Sequence, residues 1–258
     1  MTTTSSYAIE ARGLVKEFRG ARGTVRAVDG LDLVVRPGEV VAFLGPNGAG
    51  KTTTVDLVLG LAAPTAGTVR VLGKEPARAI ADGQVAAVMQ TGGLLRDITV
   101  GESVELTAAL FGRTSPAGPF LERAGIADLA DRTVGRCSGG QQQRLRFAMA
   151  LVSEPDLLLL DEPTAGMDVR GRRDFWTAIR HDAEAGRTVV FATHYLQEAE
   201  SYADRVVLIS QGRLVADGTV AEVRALAGSG SLEDVFLDLT AEPAADPSAR
   251  TTAEGGTR

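Results

Sequence analysis

The stretch that most constrains this chain is Gly45-Pro46-Asn47-Gly48-Ala49-Gly50-Lys51-Thr52-Thr53. It follows the apolar run Val40-Val41-Ala42-Phe43-Leu44 and precedes the helical-looking Thr54-Val55-Asp56-Leu57-Val58-Leu59. A strand, a glycine-rich turn and a helix start are predicted in that order, which is the setting of a phosphate-binding loop. Glycines let successive backbone amides converge on phosphate oxygens without interference from Cβ. The helix that follows adds its unpaired N-terminal donors and the favourable end of its dipole. In such a loop Lys51 reaches β- and γ-phosphates, and the Thr52 hydroxyl supplies part of a magnesium shell. A glycine pattern alone would serve equally as a tight turn in a core, but the Lys-Thr ending between the right elements favours the phosphate reading.

Further along, Asp156-Leu157-Leu158-Leu159-Leu160-Asp161-Glu162-Pro163-Thr164 reads as a parallel strand covered on both faces, with its carboxylates at the ligand-binding edge of the sheet. On a strand neighbouring that of the phosphate loop, Asp161 is placed to support magnesium and Glu162 to polarise a water attacking the γ-phosphate. Cys137-Ser138-Gly139-Gly140-Gln141 leads into the helical run from Arg144. Ser138 is a helix cap or a phosphate donor, and Gly139 and Gly140 allow close approach of a ligand. A second phosphate-seeking turn in a chain with one phosphate loop suggests a site shared between two subunits. Gln90, at the end of the strand-like residues 84–90, is either a polar strand end or a group whose amide oxygen reaches magnesium or the attacking water. His194 ends the strand-like residues 187–194 as a loop histidine or a hydrogen-bond partner of a γ-phosphate. Phe18, upstream of the phosphate loop, is a packing residue or a flat face for adenine.

The rest of the chain reads as scaffold. Residues 7–15 and 25–35 have strand alternation, and residues 67–73, 205–209 and 213–216 are short strands. Residues 92–136 are mainly helical, with a break at the Ser115-Pro116 and Gly118-Pro119 pairs, and suggest a helical insertion in an α/β core. Asp168 is expected to cap a helix over residues 169–180 whose Phe175, Trp176 and Ile179 face the core, leaving His181 in solvent. Short helices are expected at residues 198–202 and 220–226, and a last one carries Leu232, Val235, Phe236 and Leu239 on one face. From Ala241 onward the composition predicts a mobile tail.

Of the formal net charge of −6, residues 217–258 contribute −5, so the body lacks the basic field that nucleic acid would require. The opening residues lack an apolar signal core, and no run is long enough to span a bilayer, so any membrane role is expected to come through a partner. The lone Cys137 forms no internal disulfide and agrees with a reducing compartment.

With these pieces in order, the sequence resembles the ATP-binding subunits of ABC transporters over residues 7–239. The correspondence runs through the aromatic A-loop position Phe18, Walker A from Gly45 to Thr53, Q-loop Gln90 and the signature Ser138-Gly139-Gly140-Gln141. It continues through Walker B from Asp156 to Glu162, the D-loop Ala165-Gly166-Met167-Asp168 and switch His194. The resemblance implies a P-loop α/β core of the ABC ATPase type with an antiparallel β subdomain and a helical subdomain at about residues 92–152, together spanning residues 1–240, with residues 241–258 as the disordered tail. It implies ATP and Mg²⁺ as ligands. Phe18 and residues 45–53 would hold ATP, and Thr52, Gln90 and Asp161 the metal. Lys51, Gln90, Glu162 and His194 would act in hydrolysis, Glu162 as general base. It further implies a head-to-tail dimer with a second copy, in which Ser138 to Gln141 meet the ATP of the other subunit, and a separate multispanning permease at the cytoplasmic face of the membrane. The family usually has Leu where Cys137 and Met167 stand here. Cys137 keeps an apolar contact that could pack the signature helix more loosely. The Thr52-Thr53-Thr54 run, the compact length and the segment at residues 232–240 resemble ABC-2-type exporters of the daunorubicin-resistance type. Export of a polysaccharide or lipid-linked product, or soluble regulation without transport, are the alternatives.

Overall fold

A computed structural model of the chain describes residues 7–20, 23–89, 92–226, 228 and 231–240. The expected tail from Ala241 and the Gln90 position lie outside the described residues.

The chain opens with β1 (Ile9–Gly20) and β2 (Gly23–Val35), an antiparallel pair, and β4 (Ala66–Val71) later joins the other side of β1. Arg36-Pro37-Gly38 then turns the chain into the central sheet, which is built from β3 (Val40–Leu44), β5 (Val85–Val88), β6 (Leu157–Asp161), β7 (Thr188–Ala192), β8 (Arg205–Ser210) and β9 (Arg213–Thr219). Its order is β5-β6-β7-β3-β8-β9, parallel except for β9, which runs antiparallel to β8. The adjacency of the two strands expected from the sequence is not found. The acid-ending strand β6 does not neighbour β3, because β7 is inserted between them and pairs with both.

The apolar runs are continuous because both sheet faces are covered, and the two-residue strand period sends alternate side chains to two different cores. Val40, Ala42, Leu44, Leu158, Leu160, Val189 and Phe191 face one core. Val41, Phe43, Leu157, Leu159, Val190 and Ala192 face the other. The second core is closed by the antiparallel sheet and by α1 (Lys51–Val58), through Leu14, Leu31, Val55 and Leu57. The first is closed by helices inserted between β5 and β6, namely α3 (Val100–Leu110), α4 (Gly118–Arg123) and α5 (Gly139–Leu151), and by α6 (Val169–Glu184). In α6, Phe175, Trp176 and Ile179 form the buried stripe. Trp176 stacks on Tyr202 with centroids 5.0 Å apart and meets Phe191 edge-on at 4.5 Å, while His181 is exposed.

A short helix α2 (Pro76–Ala81) follows β4, and α7 (Leu196–Tyr202), α8 (Val220–Ala225) and α9 (Leu232–Thr240) complete the chain. In α9, Leu232 and Val235 are buried, Phe236 is half-buried and Leu239 is exposed. No helix among the described residues is long and apolar enough to cross a membrane.

Candidate functional site

The loops leaving β3, β6 and β7 meet at one edge of the sheet because the register aligns their ends. Phe43 and Asp161 both pair with Ala192 of β7. Thr193 N–H donates to Phe43 O (3.2 Å), and Glu162 N–H donates to Ala192 O (2.9 Å). These bonds put the phosphate loop, Glu162 and His194 around one cavity of about 750 Å³.

The phosphate loop is pressed against its own scaffold. A Cβ on Gly45 would fall 2.2 Å from Ile209 O, and one on Gly50 would fall 2.3 Å from Ala27 O. Both glycines have positive φ, so a side chain is excluded by space and by conformation. At Gly48 a Cβ would meet nothing, since that residue rims the open cavity. Helix α1 begins at Lys51 with Gly50 as N-cap and no side-chain cap, and Thr54 N–H is bonded back to Gly50 O at 2.8 Å. In contrast, α3, α5 and α8 each carry a complete capping box, and α6 is capped by Asp168. The amides of the first α1 turn are thus left for an anion.

Lys51 is only 7% exposed, and its Nζ donates to Gly45 O (2.7 Å) and Pro46 O (3.1 Å). An ammonium has three donors, so one remains for an acceptor in the cavity. Burial pushes Lys51 below its ordinary pKa, and the facing Glu162 and Asp161 act in the opposite direction. Asp161 is buried too, and its Oδ2 accepts from Thr52 Oγ1 at 3.3 Å. Burial raises this carboxyl first, the Thr52 hydrogen bond offsets part of the rise, and Glu162 adds to it. The pair presents hard oxygens suited to a magnesium ion. Among the described residues no group of three or more His, Cys, Asp or Glu is arranged to bind a metal. The donor set therefore fits an ion shared with phosphate oxygens rather than one caged by protein.

Glu162 sits at φ 49°, a left-handed conformation that costs a residue with a side chain roughly 1–3 kcal/mol and marks functional turns. Its Oε1 lies 2.8 Å from His194 Nδ1, and the His194 ring tilts against Tyr195 with centroids 4.1 Å apart. Ala49 is buried behind the loop, and its carbonyl accepts from Gly212 N–H at 2.9 Å. Phe18 does not line the cavity. It is 49% exposed on β1, with Lys16 Nζ 5.2 Å from its ring centroid. Ala27 and Phe236 do line it, and neither was singled out for this site from sequence. Phe236 belonged to an apolar helix pattern that offered no direction toward the loop, and Ala27 carries no chemical signal at all.

A second cavity, of about 440 Å³, is lined by a separate set of residues that includes Ser138, Gly140, Gln141, Met167 and Asp168. Ser138 caps α5, with its Oγ accepting from Gln141 N–H (3.3 Å) while Gln141 Oε1 accepts from Ser138 N–H (2.9 Å). Its hydroxyl proton stays available to an acceptor outside the helix. Gly139 is exposed beside it, and a Cβ on Gly140 would come within 3.2 Å of Met167 Cγ. Cys137 and Met167 are both buried in the helix-side core, so the apolar contacts at these two positions are kept.

A mixed α/β P-loop fold with a three-stranded antiparallel subdomain, a helical insertion and these two cavities defines an ATPase of the ABC class. The family model for ABC transporters matches residues 28–165, over half of the chain, and the chain belongs to that family. The daunorubicin/doxorubicin resistance ATP-binding protein DrrA of Streptomyces peucetius is 40% identical over 245 residues, covering 90% of this chain and 71% of the relative. The Nod factor export ATP-binding protein I of Paraburkholderia xenovorans (strain LB400) is 42% identical over 203 residues, covering 76% of this chain and 67% of the relative. A dimeric post-hydrolysis structure of the ATP-binding cassette MJ0796, bound to ADP and Pi, matches with a TM-score of 0.74 at 25% identity over 82% of this chain and 98% of that one.

Proposed function

We propose that this chain hydrolyses ATP to power an exporter whose cargo pathway lies in a separate multispanning permease, which the chain joins at the cytoplasmic face. The observation that carries the reading is the Glu162 to His194 contact at the mouth of a phosphate loop whose helix has no side-chain cap. Backbone N–H groups among residues 45–53, Pro46 having none, and the Lys51 side chain hold the phosphates, and Thr52 and Asp161, with Gln90, would hold magnesium. That ion supplies neutralisation of charge across the β- and γ-phosphates. Phe18, half-exposed on β1 outside the phosphate cavity with Lys16 over its ring, is the residue assigned to the adenine. Ser138 and Gly140 meet the ATP of a second copy, a reading supported by the dimeric MJ0796 cassette. The ATPase unit is assigned to residues 1–240 and its helical subdomain to residues 92–152.

Glu162 is the general base and His194 the γ-phosphate contact. A neutral His194 that gives its Nδ1 proton to Glu162 has only an acceptor at Nε2. To donate to a phosphate from Nε2 it takes the other tautomer, and Nδ1 then turns a lone pair toward the carboxylate. In the neutral ring, Glu162 at Nδ1 and a phosphate at Nε2 thus compete for one proton, so phosphate binding weakens the contact and favours a Glu162 free to accept a proton from water.

The cargo is set by the permease. The relatives divide between proteins named for daunorubicin resistance and proteins named for Nod factor export. They support export of small molecules at large, the lipid-linked or polysaccharide alternative included, better than drug export alone. The test is Glu162→Gln in the complex purified from membranes. Retained ATP binding with turnover reduced by about two to four orders of magnitude is expected, since a general base contributes that much. Unchanged turnover would remove Glu162 from the mechanism, and absence of a multispanning partner in the complex would remove the exporter reading.

A further inference from the structure

Glu198 lines neither cavity, yet it is only 3% exposed, in the first turn of α7. A carboxyl group so far from water persists in a fold only with partners, and these are specific. Thr164 Oγ1 donates to Glu198 Oε1, and Thr193 Oγ1 donates to Oε2 at 2.9 Å. Thr164 stands two residues after Glu162, and Thr193 immediately precedes His194. Each loop that carries a reacting side chain is therefore tied by one hydroxyl to one oxygen of the same carboxyl group. Thr193 Oγ1 also accepts from Tyr195 N–H at 3.0 Å, which fixes the turn that aims His194. Arg172 closes the arrangement from α6. Its Nε lies 3.4 Å from Glu198 Oε1, an ion-pair contact without hydrogen-bond alignment, and its guanidinium lies 4.5 Å from the Tyr195 ring centroid. The result is a ring of contacts through Glu162, Thr164, Glu198, Thr193 and His194, closed by the 2.8 Å contact between His194 and Glu162.

We infer that Glu198 is a positioning residue that sets the distance between Glu162 and His194 by holding both of their loops on one carboxyl group. This rests on the roles proposed above for those two residues. Glu198 touches no reacting atom and acts through the loops. The geometry matters because a misplacement of about 1 Å in a catalytic group can cost about a hundredfold in rate. Nucleotide affinity is set elsewhere, by the amides and the lysine after β3.

The chain has two histidines, so ¹⁵N-histidine labelling of the full chain yields two ring systems, and His181→Gln assigns them. The contact-free position of the His194 Nδ1 resonance is given by Glu162→Ala. In Glu198→Gln, His194 Nδ1 is expected to move toward that position while His181, exposed on α6, stays in place. ATP affinity is expected to hold within about twofold, with kcat falling about tenfold or more at unchanged KM. Thr164→Val removes the tether on the Glu162 side and leaves every charge, and the bond from Tyr195 N–H to Thr193 Oγ1, in place. It should move His194 in the same direction, and it carries the test alone if Glu198→Gln does not fold. A His194 resonance that stays put in these variants while Tm falls would overturn the inference and leave Glu198 a structural carboxyl group. Failure of the underlying assignment would show separately, as ATP turnover persisting in Glu162→Gln.

Discussion

Asp161 and Lys51 are both held in disfavoured charge states by the same burial, and the sign of each shift has a measurable consequence. The Asp161 carboxyl is raised above its ordinary value of 3.8 by burial, and further by Glu162 and Asp56, against the opposing Thr52 hydrogen bond and Lys51 charge. A carboxyl that keeps its proton to higher pH in the fold than in the unfolded chain costs stability as pH rises past 3.8, and the full cost stands above the folded value. Asp161→Asn removes that cost and keeps an oxygen for Thr52. In chelator-treated protein the variant is expected to show a higher Tm than the parent at neutral pH, with the difference closing as pH is lowered toward 3.8. A difference of constant size across that range would contradict the assignment. With Asp161 holding magnesium as proposed, the same variant should lose magnesium-dependent turnover. Lys51, Thr52, Asp161, Glu162 and His194 were legible in the sequence because each follows an apolar run, and parallel strands deliver their C-terminal ends to one edge. Glu198 was not legible. It looks like any acid in a short helix, and its three partners stand 34, 5 and 26 positions away in the chain.

Some helix starts are closed by a side chain, those of α3, α5, α6 and α8, and others are not, those of α1, α2, α4 and α7; of these, α1 opens on the phosphate-loop cavity. Thr99 with Glu102, and Thr219 with Glu222, are capping boxes whose glutamate carboxyls are lowered chiefly by the backbone N–H groups they accept from. At α5 the same box is made by Ser138 with Gln141, a neutral amide, where the second cavity opens. Gln141→Glu separates capping from ligand binding. A glutamate in the first turn is favoured by the helix dipole by about 0.3–1 kcal/mol, so Tm should hold or rise slightly. It also puts a negative charge where the phosphates of a second copy would dock, so the ATP-dependent dimer should weaken. Scanning calorimetry with size-exclusion chromatography in ATP checks both, and a dimer as strong as the parent's would argue against phosphate contact at this loop. Elements buried on both faces, β3, β6, β7 and β8, were readable as apolar runs. The length of β1 was not, since it continues to Gly20 through register shifts that break alternation, nor was α2, whose six residues are too few for a helical period. Strand order was unreadable for a different reason. The insertion of β7 between β6 and β3 is decided by crossovers, which leave no local mark.

At the scale of the molecule, the two cavities share no lining residue, and the signature is bound to its surroundings as a block. Arg144 of α5 donates to Gly125 O (3.1 Å) and to Gly171 O of α6 (2.9 Å), while Arg123 of α4 reaches Asp182 of α6 at 3.0 Å and Glu154 at 2.9 Å. The helical insertion therefore carries Ser138 together with the start of α6, and within one chain the phosphate-loop cavity and the Ser138 cavity are separate. If turnover needs one half from each of two copies, defects in different halves must complement. Lys51→Ala spoils the phosphate loop, and Ser138→Arg spoils the signature. Each variant alone is expected to form no complete site and to be inactive. An equimolar mixture forms mixed dimers as about half of the total, each with one intact site, so about a quarter of the parent rate should return. The recovered rate should depend on the product of the two concentrations and vanish when Glu162→Gln is added to the Ser138→Arg chain, which supplies the intact phosphate loop. A mixture as inactive as its components would mean that both halves must belong to one chain, and the two-copy arrangement would then fail with it.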